Sequence, residues 1–270
     1  MIILGFDVEE FDMPFEYGKT LPFNEQIAIS TSGTLLILKL LKETGVKATF
    51  FCTAQYALQK PEIILKMVNE GHEIASHGYY HSDFKPEHLE LSKIELERIS
   101  GTIITGYRMA RMMPVDEEEI KKAGYLYNSS LNPTWLPGRY NNFKKPRTWF
   151  FEKDVLQIPA SVSPIIRFPL FWLSFHNLPL PILKWLSAAT HRKDGYLNLY
   201  FHPWEFTNLN QPEKFGFPSY ISKNSGEPFV KRIKDFITWA QSKGFEFGKT
   251  GDFAASIIKK NKETALNLAT

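Results

Sequence analysis

Two carboxylates and two imidazoles carry the first chemical signal in this chain. Asp7 and Glu9 flank Val8 at the end of the run Ile2–Val8. Side chains two apart on a strand share a face, so both carboxylates can point into one site. Such a pair suits a division of labour, with one group holding a cation and the other moving protons. His77 and His81 form an H-x-x-x-H pair, and two imidazoles at that spacing can reach one metal ion from a helical turn or a tight loop. Gly78 stands where the zinc-protease motif carries glutamate, so the carboxylate must come from elsewhere, and the first strand can supply it. The bland alternatives are an acidic patch running on to Glu10 and Asp12, and two unrelated loop histidines. His202 ends the run Leu197–Phe201; its charge changes near neutral pH, which suits a general acid. The alternative there is a ring packed against Trp204.

These residues need elements to position them. Strand patterns are read at Ile2–Val8, Ala48–Ala54, Glu73–Ser76, Gly106–Ala110, Tyr125–Ser129, Val155–Pro159, Tyr196–His202 and Phe245–Phe247. Many are continuous apolar or aromatic runs, as in strands buried on both faces. Helical patterns lie between them: Thr34–Lys42 with a stop at Gly45, a helix from Pro61 to Gly71, Glu87–Ile99, Asp116–Ala123 and Pro228–Lys243. Glycine just past a helix end accepts the left-handed conformation needed there. The alternation predicts an α/β fold with a parallel sheet, a distorted (β/α) barrel of seven to eight strands in a single domain. The barrel is expected over 1–260, with an apolar capping insertion near 160–190 and a C-terminal tail at 261–270. Asp7, Glu9, His77, His81, Arg108 and His202 all fall in or at the C-terminal ends of these strands, where parallel barrels keep their active sites.

Composition narrows the classes. The chain has 270 residues, 43% hydrophobic and 23% charged, as expected of a globular protein with a substantial core. A net charge of +3 is too small to indicate a nucleic-acid partner. The single cysteine, Cys52, rules out an intrachain disulfide and reads as a small buried hydrophobe. Met1–Asp7 does not look like a signal peptide, so a cytoplasmic location is expected, with peripheral membrane association left open. The apolar stretch Pro164–Thr190 is broken by Arg167, Pro169, His176, Pro179 and Pro181, so no membrane span is expected. Gly248-Lys249-Thr250 lacks the glycine spacing of a phosphate loop, and there is neither a G-x-G-x-x-G nor a G-x-S-x-G.

Five stretches, in order and at roughly similar spacing, resemble the NodB-type polysaccharide deacetylases of carbohydrate esterase family 4. They are Gly5–Glu9, Ala48–Phe51, Gly71–His77 with His81, Gly106–Arg108, and Tyr200–Glu205. The ending Phe201-His202-Pro203-Trp204-Glu205 resembles the subgroup linked to exopolysaccharide and lipid-linked sugars. The resemblance implies hydrolysis of N-acetyl groups on an amino sugar in a polysaccharide or lipid-linked glycan, with a divalent metal, Zn2+ being the ion expected. It implies Asp7 as catalytic base, Glu9, His77 and His81 as metal ligands, Arg108 as the group orienting Asp7, and His202 as acid. The N-acetylated glycan would be the partner; the oligomeric state is left open. Tyr79, Tyr80, Trp135 and Trp204 are candidate sugar-stacking aromatics. Three positions depart from the family pattern. Glu9 stands where aspartate is usual, Met109-Ala110-Arg111 replaces a proline-rich turn, and Asn128 stands nearest to the aspartate that tunes the acid histidine. Two rival readings follow: an amidohydrolase acting on a ureide or imide, and a non-catalytic glycan-binding barrel.

Overall fold

The computed structural model describes residues 1–269. A sheet curls around an apolar interior, with helices outside it. Its parallel strands run in the spatial order Leu197–Phe201, Ile2–Val8, Thr49–Cys52, Glu73–Ser76, Gly106–Tyr107, Tyr127–Asn128 and Val155–Gln157. Phe247–Gly248 pairs with the lower end of the first strand. Each of the eight strand patterns expected from the sequence contains a strand, but several are shorter than expected. Gly106–Ala110 is extended only at Gly106–Tyr107, and the last strand, Phe247–Gly248, shares only Phe247 with the expected Phe245–Phe247. Phe150–Glu152 adds an antiparallel edge, because the turn at Lys153 and Asp154 sends the chain straight back on itself.

Strand alternation sorts the first strand. Ile2, Leu4, Phe6 and Val8 face the helix layer and join the main core. Ile3 faces inward with Phe51, Ala75, Tyr127 and Leu156. Asp7 and Glu9 share the parity of Ile3, so the same period of two that builds the core aims both carboxylates inward. The helix Thr250–Ala269 closes the barrel floor, where Phe253 and Ala254 pack against the inner layer. Residues 261–269 continue this helix rather than leaving it; residue 270 lies outside the described residues.

The barrel is not closed by a strand ladder. Between Val155–Gln157 and Leu197–Phe201 the seam is made by Asn198. Its Nδ2 donates to the carbonyls of Ile158 and Pro159 at 3.0 and 3.2 Å, and its own carbonyl accepts from Ser161 N–H at 2.9 Å. The barrel is therefore distorted, with the side chain of Asn198 adding at the seam to a single backbone bond where a ladder runs elsewhere.

The first long helix spans Phe23–Thr44, starting well before the Thr34 expected from the pattern. Polar residues in Phe23–Gly33 disguise its start, yet Gln26 and Ser30 are buried. The apolar insertion holds two helices, Trp172–Asn177 and Leu180–Asp194. Among the described residues no helix is long and apolar enough to cross a membrane.

Candidate active site

The first strand delivers Glu9 to the barrel mouth, and the loop after Glu73–Ser76 delivers His77 and His81. Nε2 of His77 lies 3.1 Å and Nε2 of His81 3.0 Å from the same atom, Glu9 Oε2. One donor atom from each of the three residues falls within 4.8 Å of the others. All three side chains are buried.

The other ring nitrogens are committed. His77 Nδ1 faces the carbonyl of Arg108 at 2.9 Å, and a carbonyl can only accept, so this nitrogen carries a proton. His81 Nδ1 donates to Asp12 Oδ1 at 2.7 Å. Both Nε2 atoms thus turn toward a carboxylate oxygen that is itself an acceptor. Neutral imidazoles in this arrangement present lone pair to lone pair. A shared cation resolves the conflict, and the outer hydrogen bonds are those that fix metal-binding histidines. Without a cation, protons take that place. Burial opposes charge on His81, but the Glu9 charge and the bond to Asp12 push its pKa up to about 10. Burial likewise disfavours the Glu9 anion, and the two imidazoles, with His202, hold its pKa well below the ordinary carboxylate value. The donor set, two imidazoles and one carboxylate, suits a catalytic zinc-type ion.

Asp7 lies beside this cluster. Arg108 Nη1 donates to Asp7 Oδ1 at 2.6 Å, while Nε and Nη2 are held by the carbonyl and hydroxyl of Ser129. The guanidinium is fully buried and rests on the Phe51 ring, 3.9 Å from its centroid. Gly5 makes room for it: a Cβ there would sit 2.8 Å from Nη1. Asp7 Oδ2 is left facing His202 Nε2 at 3.9 Å.

His202 stacks on Trp204, with ring centroids 4.7 Å apart, and Trp172 meets its ring edge-on. Its Nδ1 and its backbone N–H both bond Glu205 Oε1, at 2.9 and 2.6 Å. The second oxygen of Glu205 accepts from His176 Nε2 at 2.9 Å. Burial disfavours the charged His202 ring, yet Glu205 and the nearby charges of Glu9 and Asp7 raise its pKa overall. The helix Phe23–Thr44 braces this turn from behind. Gly33 meets it so closely that a Cβ would lie 1.8 Å from the Pro203 carbonyl oxygen, and Ser30 on the same helix donates to the Glu9 carbonyl.

The structure brings Asp7, Glu9, His77, His81 and His202 to one cavity of about 280 Å³, with Arg108 behind Asp7. Phe171, Trp172 and Leu173 of the insertion line its wall. Asn128 does not reach His202; it bonds Glu117 and Ser130 instead. The carboxylate bonded to His202 is Glu205, which sequence reasoning left without a role. The signal was present, since glutamate three residues after a helix N-cap reaches back to that residue's N–H. Asp12, read as part of an acidic patch, is buried and holds His81. Of the candidate sugar-stacking aromatics, Trp204 is buried and its Nε1 donates to Glu9 Oε1 at 3.3 Å; Trp135 is exposed.

Residues 15–114 match the family described as Polysaccharide deacetylase, a span that begins just past Asp7 and Glu9. A chitooligosaccharide deacetylase from Bradyrhizobium sp. is 36% identical over 75 residues, covering 28% of this chain and 31% of the relative. The peptidoglycan-N-acetylmuramic acid deacetylase PdaA of Bacillus subtilis is 32% identical over 72 residues, 26% of this chain and 27% of the relative. The matches thus span about a third or less of these relatives. In structure, a protein described as a polysaccharide deacetylase from Mycobacterium smegmatis superposes with a TM-score of 0.66 at 18% identity, covering 96% of this chain and 90% of that one. That likeness speaks to the fold.

Proposed function

We propose, on the premise that the chain belongs to the polysaccharide deacetylase family, that it hydrolyses N-acetyl groups of an amino sugar with a divalent cation held by Glu9, His77 and His81. The carrying observation is the placement of Asp7 and His202 on opposite sides of one gap beside the three-ligand cluster. When bound, the cation supplies Lewis-acid polarisation of the acyl carbonyl and makes water more acidic.

The remaining work falls to the chain's own residues. Asp7, fixed through Oδ1 by Arg108, offers Oδ2 to take a proton from the attacking water. His202 gives a proton from Nε2 to the departing amine, while Glu205 on Nδ1 steadies the charged ring and its orientation. Asp12 and the Arg108 carbonyl hold the two ligand imidazoles in the tautomer that leaves Nε2 free. The aromatic wall of Phe171, Trp172 and Tyr200 excludes water and offers faces to a sugar ring.

The test is acetate release from N-acetylated chitooligosaccharides by the purified protein with added zinc, beside a cyclic ureide assayed for ring opening. Acetate release that stops in His77→Ala supports the reading. Ureide turnover without acetate would move the assignment to the rival amidohydrolase, and glycan binding with no hydrolysis at any metal would sink catalysis.

A further inference from the structure

We infer that the face formed by residues 133–145 and 163–168 docks on an anionic lipid bilayer. Ile165 and Ile166 are 89% and 69% exposed, and Phe143, whose ring lies under the Arg167 guanidinium, is 46% exposed. Isoleucines this bare sit at the tip of a turn built to project them. Val162 bridges Pro169 across its base, and Ser163 N–H donates to the Phe168 carbonyl. Arg167 closes the turn at φ 51°, a left-handed conformation unusual for a residue with a Cβ. It is clamped there: Nη1 donates to the carbonyls of Pro133 and Lys145, its carbonyl accepts from Thr134 Oγ1, and its guanidinium lies over the Phe143 ring. These contacts join the two segments into one surface.

The two segments themselves carry charge of one sign, with acidic residues contributed only by neighbouring elements, among them Glu16, Asp194 and the Asp116, Glu117 and Glu152 that line a cavity with Lys145. Residues 131–151 contain Arg139, Lys144, Lys145 and Arg147 and no acidic residue, and residues 155–170 contain only Arg167. Arg139 and Arg147 are neutralised by Glu16 and Asp194. Lys144 and Lys145 are exposed and have no carboxylate partner among the described residues. Bare aliphatic side chains beside unpaired lysines match a headgroup layer, where hydrocarbon takes the former and anionic lipid the latter. A nucleic acid would satisfy the lysines and leave the isoleucines in water.

Within residues 133–145, Trp135–Leu136 and Tyr140–Asn141 form an antiparallel hairpin, and its Leu136, Pro137 and Arg139 line the cavity. Docking would thus set the mouth at the membrane surface. If the deacetylase reading holds, on which this clause rests, the substrate it suits is an amino sugar carried at that surface.

The experiment is sedimentation of the full chain with vesicles of phosphatidylcholine mixed with phosphatidylglycerol, and with phosphatidylcholine alone. The mixed vesicles should carry the protein down and release it as salt rises. The Ile165→Asp/Ile166→Asp variant should lose about tenfold or more in binding, and Lys144→Glu/Lys145→Glu should lose the preference for the mixed vesicles. Both changes lie on exposed side chains, and unaltered circular dichroism would show the fold intact. No association, or equal association by the isoleucine variant, overturns the inference. So does a dimer in light scattering that the isoleucine variant breaks, since a second copy would then cover the face. None of these outcomes bears on acetate release in solution.

Discussion

Glu205 Oε1 binds His202 twice, taking a hydrogen bond from the ring at 2.9 Å and another from the backbone N–H at 2.6 Å. The ring is therefore oriented by the turn that carries it. Burial alone would lower its pKa, and Glu205, Glu9 and Asp7 together raise it. Removing the Glu205 charge should bring it down. We expect Glu205→Gln to lower kcat on an N-acetyl glycan by about 10² with little change in KM. The alkaline limb of the kcat profile should move to lower pH. Hydrolysis of 4-nitrophenyl acetate, whose leaving group needs no proton, should be largely spared. An unmoved alkaline limb would show that Glu205 serves the fold alone.

Asp7→Asn keeps an oxygen for Arg108 but removes the basic one. Turnover should fall by about 10²–10⁴ or more, while elemental analysis still finds a metal ion held by Glu9, His77 and His81. Loss of both metal and activity would instead make Asp7 a ligand.

Asp12 touches the cluster only through His81 Nδ1. Asp12→Ala should release that ring and weaken metal binding by about 10–100-fold, as removal of such outer partners does. Competition with a graded series of chelators reads the difference. Equal affinity in both proteins would make Asp12 idle.

His72 predicts a stability effect away from the site. Its Nδ1 accepts from Ala48 N–H, and burial, then the charge of Lys47, lowers its pKa from 6.5 to about 4. The unfolded chain therefore takes up the proton first as pH falls. Stability from this neutral ring is complete above 6.5 and drains away toward about 4, a loss of up to about 3 kcal/mol. Denaturant titrations at neutral and mildly acidic pH should show a smaller acid loss for His72→Asn than for the natural chain. Identical losses would assign the effect to other groups.

Much of the barrel was legible because its strands are continuous apolar runs and its helices end on glycine. The starting residue of Phe23–Thr44 was hidden because Gln26 and Ser30 are polar yet buried against Leu21 and Glu9. The ligand candidates stood out by residue type and spacing, and the structure places them within reach of one ion. The supporting carboxylates did not stand out. Asp12 looks like a surface charge in a linear chain, and only tertiary contact shows it buried against His81; Glu205 was marked only by its place three residues after His202. Nor could the sequence show the seam, since a lone asparagine in a strand gives no sign of crossing to a neighbouring segment.

Gly33 has a consequence for how the two halves of the site stay in step. One helix rests on the backbone of Glu9 through Ser30 and on the turn of His202 through Gly33. It works as a spacer that sets the gap between the cluster of Glu9, His77 and His81 and the ring of His202. Any side chain at 33 would wedge the spacer away from one end only. Glu9 and His202 would each keep their local partners, but they would no longer face the same gap.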